Sequence, residues 1–133
     1  MAKCMGIDYG TKRVGVAISD DSGSMAFPRE TIVNDRALLP RLIDLIRAEN
    51  ISFVVVGDSK DSSGKDNPVM REARNFANAL EHALSVTVYF EPEYYSSIEA
   101  RRLSGEAGIP ADSIVDDKAA AIILNRYLER TKG

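Results

Sequence analysis

Along residues 13–19, Val14, Val16 and Ile18 alternate with Arg13, Gly15, Ala17 and Ser19. Period two is the mark of a strand with two unlike faces. An apolar stretch from Lys3 to Tyr9 precedes it across the turn Gly10-Thr11-Lys12, and a third strand is expected over Met25 to Val33. Short turns between the three predict an antiparallel meander. The period then lengthens. Leu38, Leu42, Leu45 and Ile46 form the i, i+4, i+7 stripe of a helix that Asn34 or Asp35 can cap and that runs to Glu49, with Pro40 moving its regular start toward Leu38. Ile51 to Gly57 is almost unbroken apolar and β-branched, which predicts a strand covered on both faces. A polar loop, Asp58 to Asn67, leads to a helix over Val69 to Leu84 with Val69, Ala73, Phe76, Ala77 and Leu80 on one stripe. Val86 to Phe90 reads as a strand, Ser96 to Gly108 as a helix with Ser96 and Glu99 in capping-box spacing, and Asp116 to Glu129 as the last helix. The expectation is an α/β chain with a mixed five-stranded sheet, three antiparallel strands followed by βα units, and helices on both faces.

Composition narrows the class. A length of 133 residues fits one domain, and 44% hydrophobic with 28% charged residues is the balance of a globular protein. The longest apolar runs, such as Ala119 to Leu124, fall far short of the ~20 residues of a membrane span, and the first residues lack a signal peptide's apolar segment. A cytoplasmic protein without membrane contact is expected. The single cysteine, Cys4, lies within an apolar strand pattern and reads as a buried, inert thiol. The net charge of −3 argues against a protein held on nucleic acid by overall charge, since such domains tend to have a pI above ~9. It leaves room for a local basic patch beside an acidic metal site.

The acids are placed to make such a site. Asp8 stands near the end of the first strand, before the turn at Gly10, where a carboxylate can hold a divalent ion; Gly10 and Gly15 let backbone and substrate approach. Asp116 and Asp117 open the last helix, and Ala119, Ala120 and Ala121 allow that helix to lie close on the sheet. An Asx turn at Asp8 and a helix cap at Asp116 are compatible with metal binding. A third acid is expected at another strand end: Asp58, Glu91 or Glu93. Two carboxylates ~4 Å apart repel by ~4 kcal/mol at an effective dielectric of ~20, so the cluster calls for cations. With Mg²⁺ or Mn²⁺ it suits phosphodiester hydrolysis. Lys12, Arg13, Lys60 and Lys65 flank it as candidate nucleic-acid contacts, with Arg101 and Arg102 farther along. His82 falls off its helix's apolar stripe and reads as a solvated residue.

The order βββαβαβαα is that of the ribonuclease H-like fold. The segments GIDYGTKRVGVAISD, VVVG and VDDKAAAIILNRYL resemble the YqgF/RuvX family, in order and over nearly the whole chain. The resemblance implies a single Holliday-junction-resolvase-like nuclease domain over residues 1–133, and a role in maturing pre-16S ribosomal RNA during ribosome biogenesis. Precursor rRNA, or branched DNA, would be the partner, within ribosomal precursor particles. Asp8 and Asp116 match the family's first and last acids. Two departures stand out. Where the family carries Asp-Glu-Arg, this chain has Pro92-Glu93-Tyr94, so only the middle acid remains; where the family has Gly-Leu-Pro, it has Gly57-Asp58-Ser59. Asp58 is therefore expected to share or replace the role of Glu93. The alternative is a non-catalytic RNA-binding assembly factor. A third reading takes GIDYGT as the phosphate-binding turn of an actin-like kinase or ATPase, which needs two such lobes.

Overall fold

A computed structural model describes residues 2–58, 68–92 and 116–131, the side chains of Pro68 and Asp116 excepted. The expected loop after Asp58 with Lys60 and Lys65, the expected helix Ser96 to Gly108 with Arg101 and Arg102, and Glu93 lie outside the described residues.

The five strands are β1 (Cys4–Tyr9), β2 (Arg13–Ser19), β3 (Ala26–Val33), β4 (Phe53–Asp58) and β5 (Thr87–Pro92), joined with helices α1 (Leu38–Ala48), α2 (Pro68–Leu84) and α3 (Asp116–Thr131). They form one sheet in the order β3-β2-β1-β4-β5. The meander β1-β2-β3 is antiparallel, whereas β4 and β5 run parallel to β1. A parallel pair needs a crossover, and α2 supplies it between β4 and β5.

The two faces carry different cores. Met5, Ile7, Val14, Val16, Val54 and Val56 pack with Leu38, Leu42 and Ile46 of α1 and with Met70, Ala73 and Leu80 of α2. On the other face Cys4 and Val55 pack with Ile123, Leu124 and Leu128 of α3, while Ala17 meets Ala120 and Ala121. Strand β4 lies between two strands and under both layers, so Val54, Val55 and Val56 are at most 1% exposed. That explains its unbroken apolar run. The Cys4 thiol is fully buried, and burial raises its pKa above the usual value, outweighing the hydrogen bond with Ser19. His82 is exposed.

Element ends differ from the sequence pattern in instructive ways. α1 begins at Leu38 behind Ala37, with no side-chain cap. Asn34 is used elsewhere: its Nδ2 donates to the Gly10 carbonyl at 2.7 Å, and its backbone N–H donates to the Lys12 carbonyl at 2.9 Å. Asp35 instead accepts the Ala37 N–H at 2.9 Å. Strands β4 and β5 each run past the expected end, to Asp58 and Pro92, because their ladder continues through Gly57↔Glu91 and Asp58↔Pro92. The β2–β3 hairpin is closed by Asp20, whose carboxylate accepts from the Ser24 hydroxyl and N–H and from Ser22, holding its pKa down at about 2.

Candidate active site

Side chains alternate faces along a strand, so the two cores fix where each acid of the sheet points. Met5, Ile7 and Tyr9 belong to the α1/α2 core; Asp8 therefore shares the α3 face with Cys4 and Gly6. It is half-buried, opposite Gly15 on β2. Tyr9 turns the other way, its ring 5.3 Å from that of Phe76 on α2.

Helix α3 reaches this face through small residues. A Cβ added to Gly6 would lie 2.7 Å from Leu124 Cβ and 2.8 Å from the Ala120 carbonyl oxygen, so only glycine fits. The helix runs against β1, its later residues Ile123, Leu124 and Leu128 beside Cys4 and its start toward Asp8. Asp116 stands one turn before Ala120 on the same side of the helix, and Asp117 one turn before Ala121. The register thus brings the opening turn of α3 over the end of β1 that bears Asp8. Asp117 Oδ1 is buried with no hydrogen-bond partner among the described residues. A buried carboxylate oxygen without a hydrogen bond is a hard donor of the kind that Mg²⁺ or Mn²⁺ takes. Among the described residues no three His, Cys, Asp or Glu side chains converge as a metal site; Glu93 and the Asp116 side chain stand outside that set.

The structure does not bring Asp58 to Asp8. On β4, Val54, Val56 and Asp58 share the α1/α2 face, whereas Val55 faces α3. The Asp58 carboxylate lies instead 3.6 Å from Arg74 of α2, whose guanidinium sits 5.1 Å from the centre of the Phe90 ring. Its Oδ1 has an ion pair but no hydrogen bond. Glu91 does share the face of Asp8, one place along from Phe90, but it is engaged: buried to 6% exposure, it accepts from Arg130 of α3, with Nε at 3.1 Å. The guanidinium also lies 5.6 Å from the centre of Tyr127, which stacks on Tyr89. Arg130 in turn is held protonated above its usual pKa by that carboxylate. Glu91 is thereby a fastening for the end of α3.

Lys12 and Arg13 are exposed in and beside the β1–β2 turn at the same end of the sheet. Gly10 serves the turn itself, since a Cβ there would lie 2.5 Å from the Arg13 carbonyl oxygen. The residue missed from sequence is Asn34, which ties this turn to the β3–α1 connection; its cap-like context before a helix hid that long-range use. At the opposite end of the sheet, a groove of about 450 Å³ between the ends of α1 and α2 is lined by Ile46, Arg47, Ile51, Leu84 and Val86, among others, and holds no carboxylate.

Residues 2–130 match the family model RuvX, described as Holliday junction resolvase. The chain belongs to the RuvX family. A relative in Oleidesulfovibrio alaskensis, named as a candidate pre-16S rRNA nuclease, is 39% identical over 131 residues, covering 95% of this chain and 91% of its own. A relative of the same name in Nitratidesulfovibrio vulgaris is 42% identical over 132 residues, covering 95% and 92%. Among solved structures, Thermus thermophilus RuvC in complex with a Holliday junction substrate aligns with TM-score 0.62 at 16% identity, over 100% of this chain and 97% of that one. The fowlpox virus Holliday junction resolvase gives 0.55 at 15% identity, over 96% and 99%. At such identities these two establish the ribonuclease H-like fold. This RuvX chain has that fold's mixed sheet, with helices on both faces. None of its described helices is long and apolar enough to cross a membrane.

Proposed function

We propose that this RuvX-family chain is a single-domain, divalent-metal-dependent nuclease that hydrolyses phosphodiester bonds in precursor 16S ribosomal RNA, in the cytoplasm. The observation that carries the reading is the placement of the start of α3, with Asp116 and Asp117, against the end of β1, with Asp8, enforced by Gly6. Relatives of like length share the nuclease name at 39% and 42% identity. Ribosomal precursor particles are the setting this substrate implies.

Asp8, Asp116 and Asp117 would hold Mg²⁺ or Mn²⁺, and Glu93 is the fourth carboxylate rather than Asp58, which already has Arg74 as its counter-ion. A bound ion would supply Lewis-acid polarisation of the scissile phosphate and a nucleophilic water at neutral pH. The chain's own residues do the rest. Asp8, fixed in the middle strand of the sheet, sets the position of the reacting phosphate to within the stiffness of the ladder. Lys12 and Arg13 meet the substrate backbone beside it, and Lys60 and Lys65 are assigned the same role on the far side. Ion pairing of Glu91 with Arg130 holds α3 so that its acids stay in register with Asp8.

The test is cleavage of a precursor rRNA fragment with Mn²⁺. Asp8→Asn and Glu93→Gln are expected to lower the rate by about 10³-fold or more, comparable to removing a group that stabilises the transition state, and Asp58→Asn by less than about tenfold. Cleavage that survives Asp8→Asn refutes the site. Undiminished RNA binding with no cleavage by the unmodified chain would establish the assembly-factor alternative.

A further inference from the structure

Among the described residues, most exposed cations without a salt bridge gather at one end of the sheet, Arg47 at the other end being the exception. Lys3 pairs with Glu49 at 2.6 Å, Arg29 with Glu49 at 3.2 Å, Arg74 with Asp58 at 3.6 Å, and Arg130 with Glu91. Lys12, Arg36, Arg41, Arg71 and Lys118 are also exposed, yet none forms a salt bridge among the described residues. All five lie at one end of the sheet, the end that bears Asp8. Lys12 is in the β1–β2 turn; Arg36 is in the connection from β3 to α1. Arg41, Arg71 and Lys118 are the fourth, fourth and third residues of α1, α2 and α3.

Topology produces this gathering. Strand β3 runs in the direction of β1, and β4 is parallel to it, so α1 and α2 both start where β1 ends. Helix α3 runs against β1 and starts there too. The two turns are also stitched together. Asn34 bonds through its side chain to Gly10 and through its backbone to Lys12, at 2.7 and 2.9 Å, so Lys12 and Arg36 ride on one braced unit. Asp35, the adjacent acid, is occupied by the Ala37 N–H. A guanidinium on a braced backbone has no further backbone freedom to lose when it meets a phosphate, and its planar fork makes several hydrogen bonds for the rotamer freedom it gives up.

The cations also stand on both sides of the sheet. Arg36, Arg41 and Arg71 belong to the α1/α2 layer, and Lys118 to the α3 layer, with the acid-bearing strand end between them. A single extended strand crossing one face meets only one of these layers. We infer that Lys12, Arg36, Arg41 and Arg71 are phosphate-contacting residues that, with Lys118 opposite, seat the duplex part of a structured nucleic acid across the acids. This rests on the nuclease reading above and adds to it four residues outside the acid cluster, Arg36, Arg41, Arg71 and Lys118.

Arg47 provides an internal control. It is an exposed arginine on the same helix as Arg41 but in its last turn, at the opposite end of the sheet from the acids. Binding is measured in an Asp8→Asn background, which holds cleavage off, over a series of salt concentrations. The probes are a hairpin RNA with a duplex stem and an unstructured RNA of the same length. Arg36→Gln and Arg71→Gln are each expected to weaken hairpin binding by about three- to tenfold and to lower the slope of log K against log salt by about one. Arg47→Gln leaves both unchanged. The unstructured RNA is expected to bind more weakly and to respond less to the same substitutions. Hairpin binding by Arg36→Gln and Arg71→Gln with the parent's affinity and slope overturns the inference, as does an equal loss in Arg47→Gln. A parent that binds neither RNA at low salt overturns the nuclease reading itself, which is a different result from a parent that binds and ignores the rim. Unchanged thermal melts for each variant exclude misfolding as the cause.

Discussion

Asp8 and Asp58 both follow apolar residues at the ends of parallel strands, and from sequence they look alike. The structure separates them by one step of the pleat. Asp8 is readable as a candidate because it precedes a glycine turn and because an alanine-rich helix with acids at its start offers a partner. Asp58 misleads for a physical reason: Val54, Val55 and Val56 are apolar toward both faces, so the strand shows no alternation that would reveal which way its last residue points. Only the inter-strand register supplies that parity, and it sends Asp58 to Arg74. Gly6 shows the converse, a residue with no chemistry of its own that decides whether the chemistry assembles. Gly6→Ala places a Cβ within 2.8 Å of both Leu124 Cβ and the Ala120 carbonyl oxygen. Backbone on one side cannot yield cheaply, so we expect a loss of about 1–3 kcal/mol in urea unfolding. Cleavage should fall more steeply than stability, since α3 is pushed off the strand that carries Asp8. Wild-type stability in Gly6→Ala would show that α3 does not depend on this contact.

Among the described residues the elements were read well, because their signals are local. The meander, the strand β4 and the apolar stripes of α1 and α2 all follow from periods of two and 3.6. What sequence missed are long-range polar fastenings, which have no period. Asn34 leaves its expected cap position to bind Gly10, and α1 starts uncapped at Leu38. Asn125 of α3 is a second case: its Oδ1 accepts the Ala26 N–H at 2.8 Å, and its Nδ2 donates to the Ala26 carbonyl at 3.2 Å. The amide thereby satisfies both backbone groups of the first residue in edge strand β3. Removing it strands a donor and an acceptor that are largely shielded from water. Asn125→Ala should cost about 1–3 kcal/mol and speed hydrogen exchange at Ala26 without altering exchange in β4, read by amide NMR. Asn125→Asp keeps the acceptor but not the donor and should fall between the two. Uniform acceleration across the sheet would instead mean that the substitution lowers global stability and that the β3 fastening has no local role.

At the scale of the molecule, the net charge of −3 hides a separation. Unpaired cations rim one end of the sheet, and within that rim the register gathers Asp8 with the start of α3, where Asp117 keeps a buried oxygen without a hydrogen bond among the described residues. In the proposed site, like charges gathered in partly shielded surroundings would repel, and a bound cation would remove that cost. Two effects of opposite sign then follow from one substitution. Asp8→Asn takes away a repelling charge and should leave the apo protein as stable as, or more stable than, the unmodified chain. It should also remove most of the stabilisation by metal. For the unmodified chain, a site that binds Mn²⁺ only in the folded state gains RT ln(1 + [Mn²⁺]/Kd), about 2.7 kcal/mol at one hundred times Kd. For a chain of this size that is a rise of several degrees in the melting temperature. Thermal melts with and without Mn²⁺, for the unmodified chain, Asp8→Asn and Asp58→Asn, test this without any nucleic acid present. The shift should be full in the unmodified chain, nearly absent in Asp8→Asn and retained in Asp58→Asn, whose counter-ion is Arg74. A shift lost in Asp58→Asn and kept in Asp8→Asn would move the metal to the α2 face of the sheet and undo the assignment of Asp8.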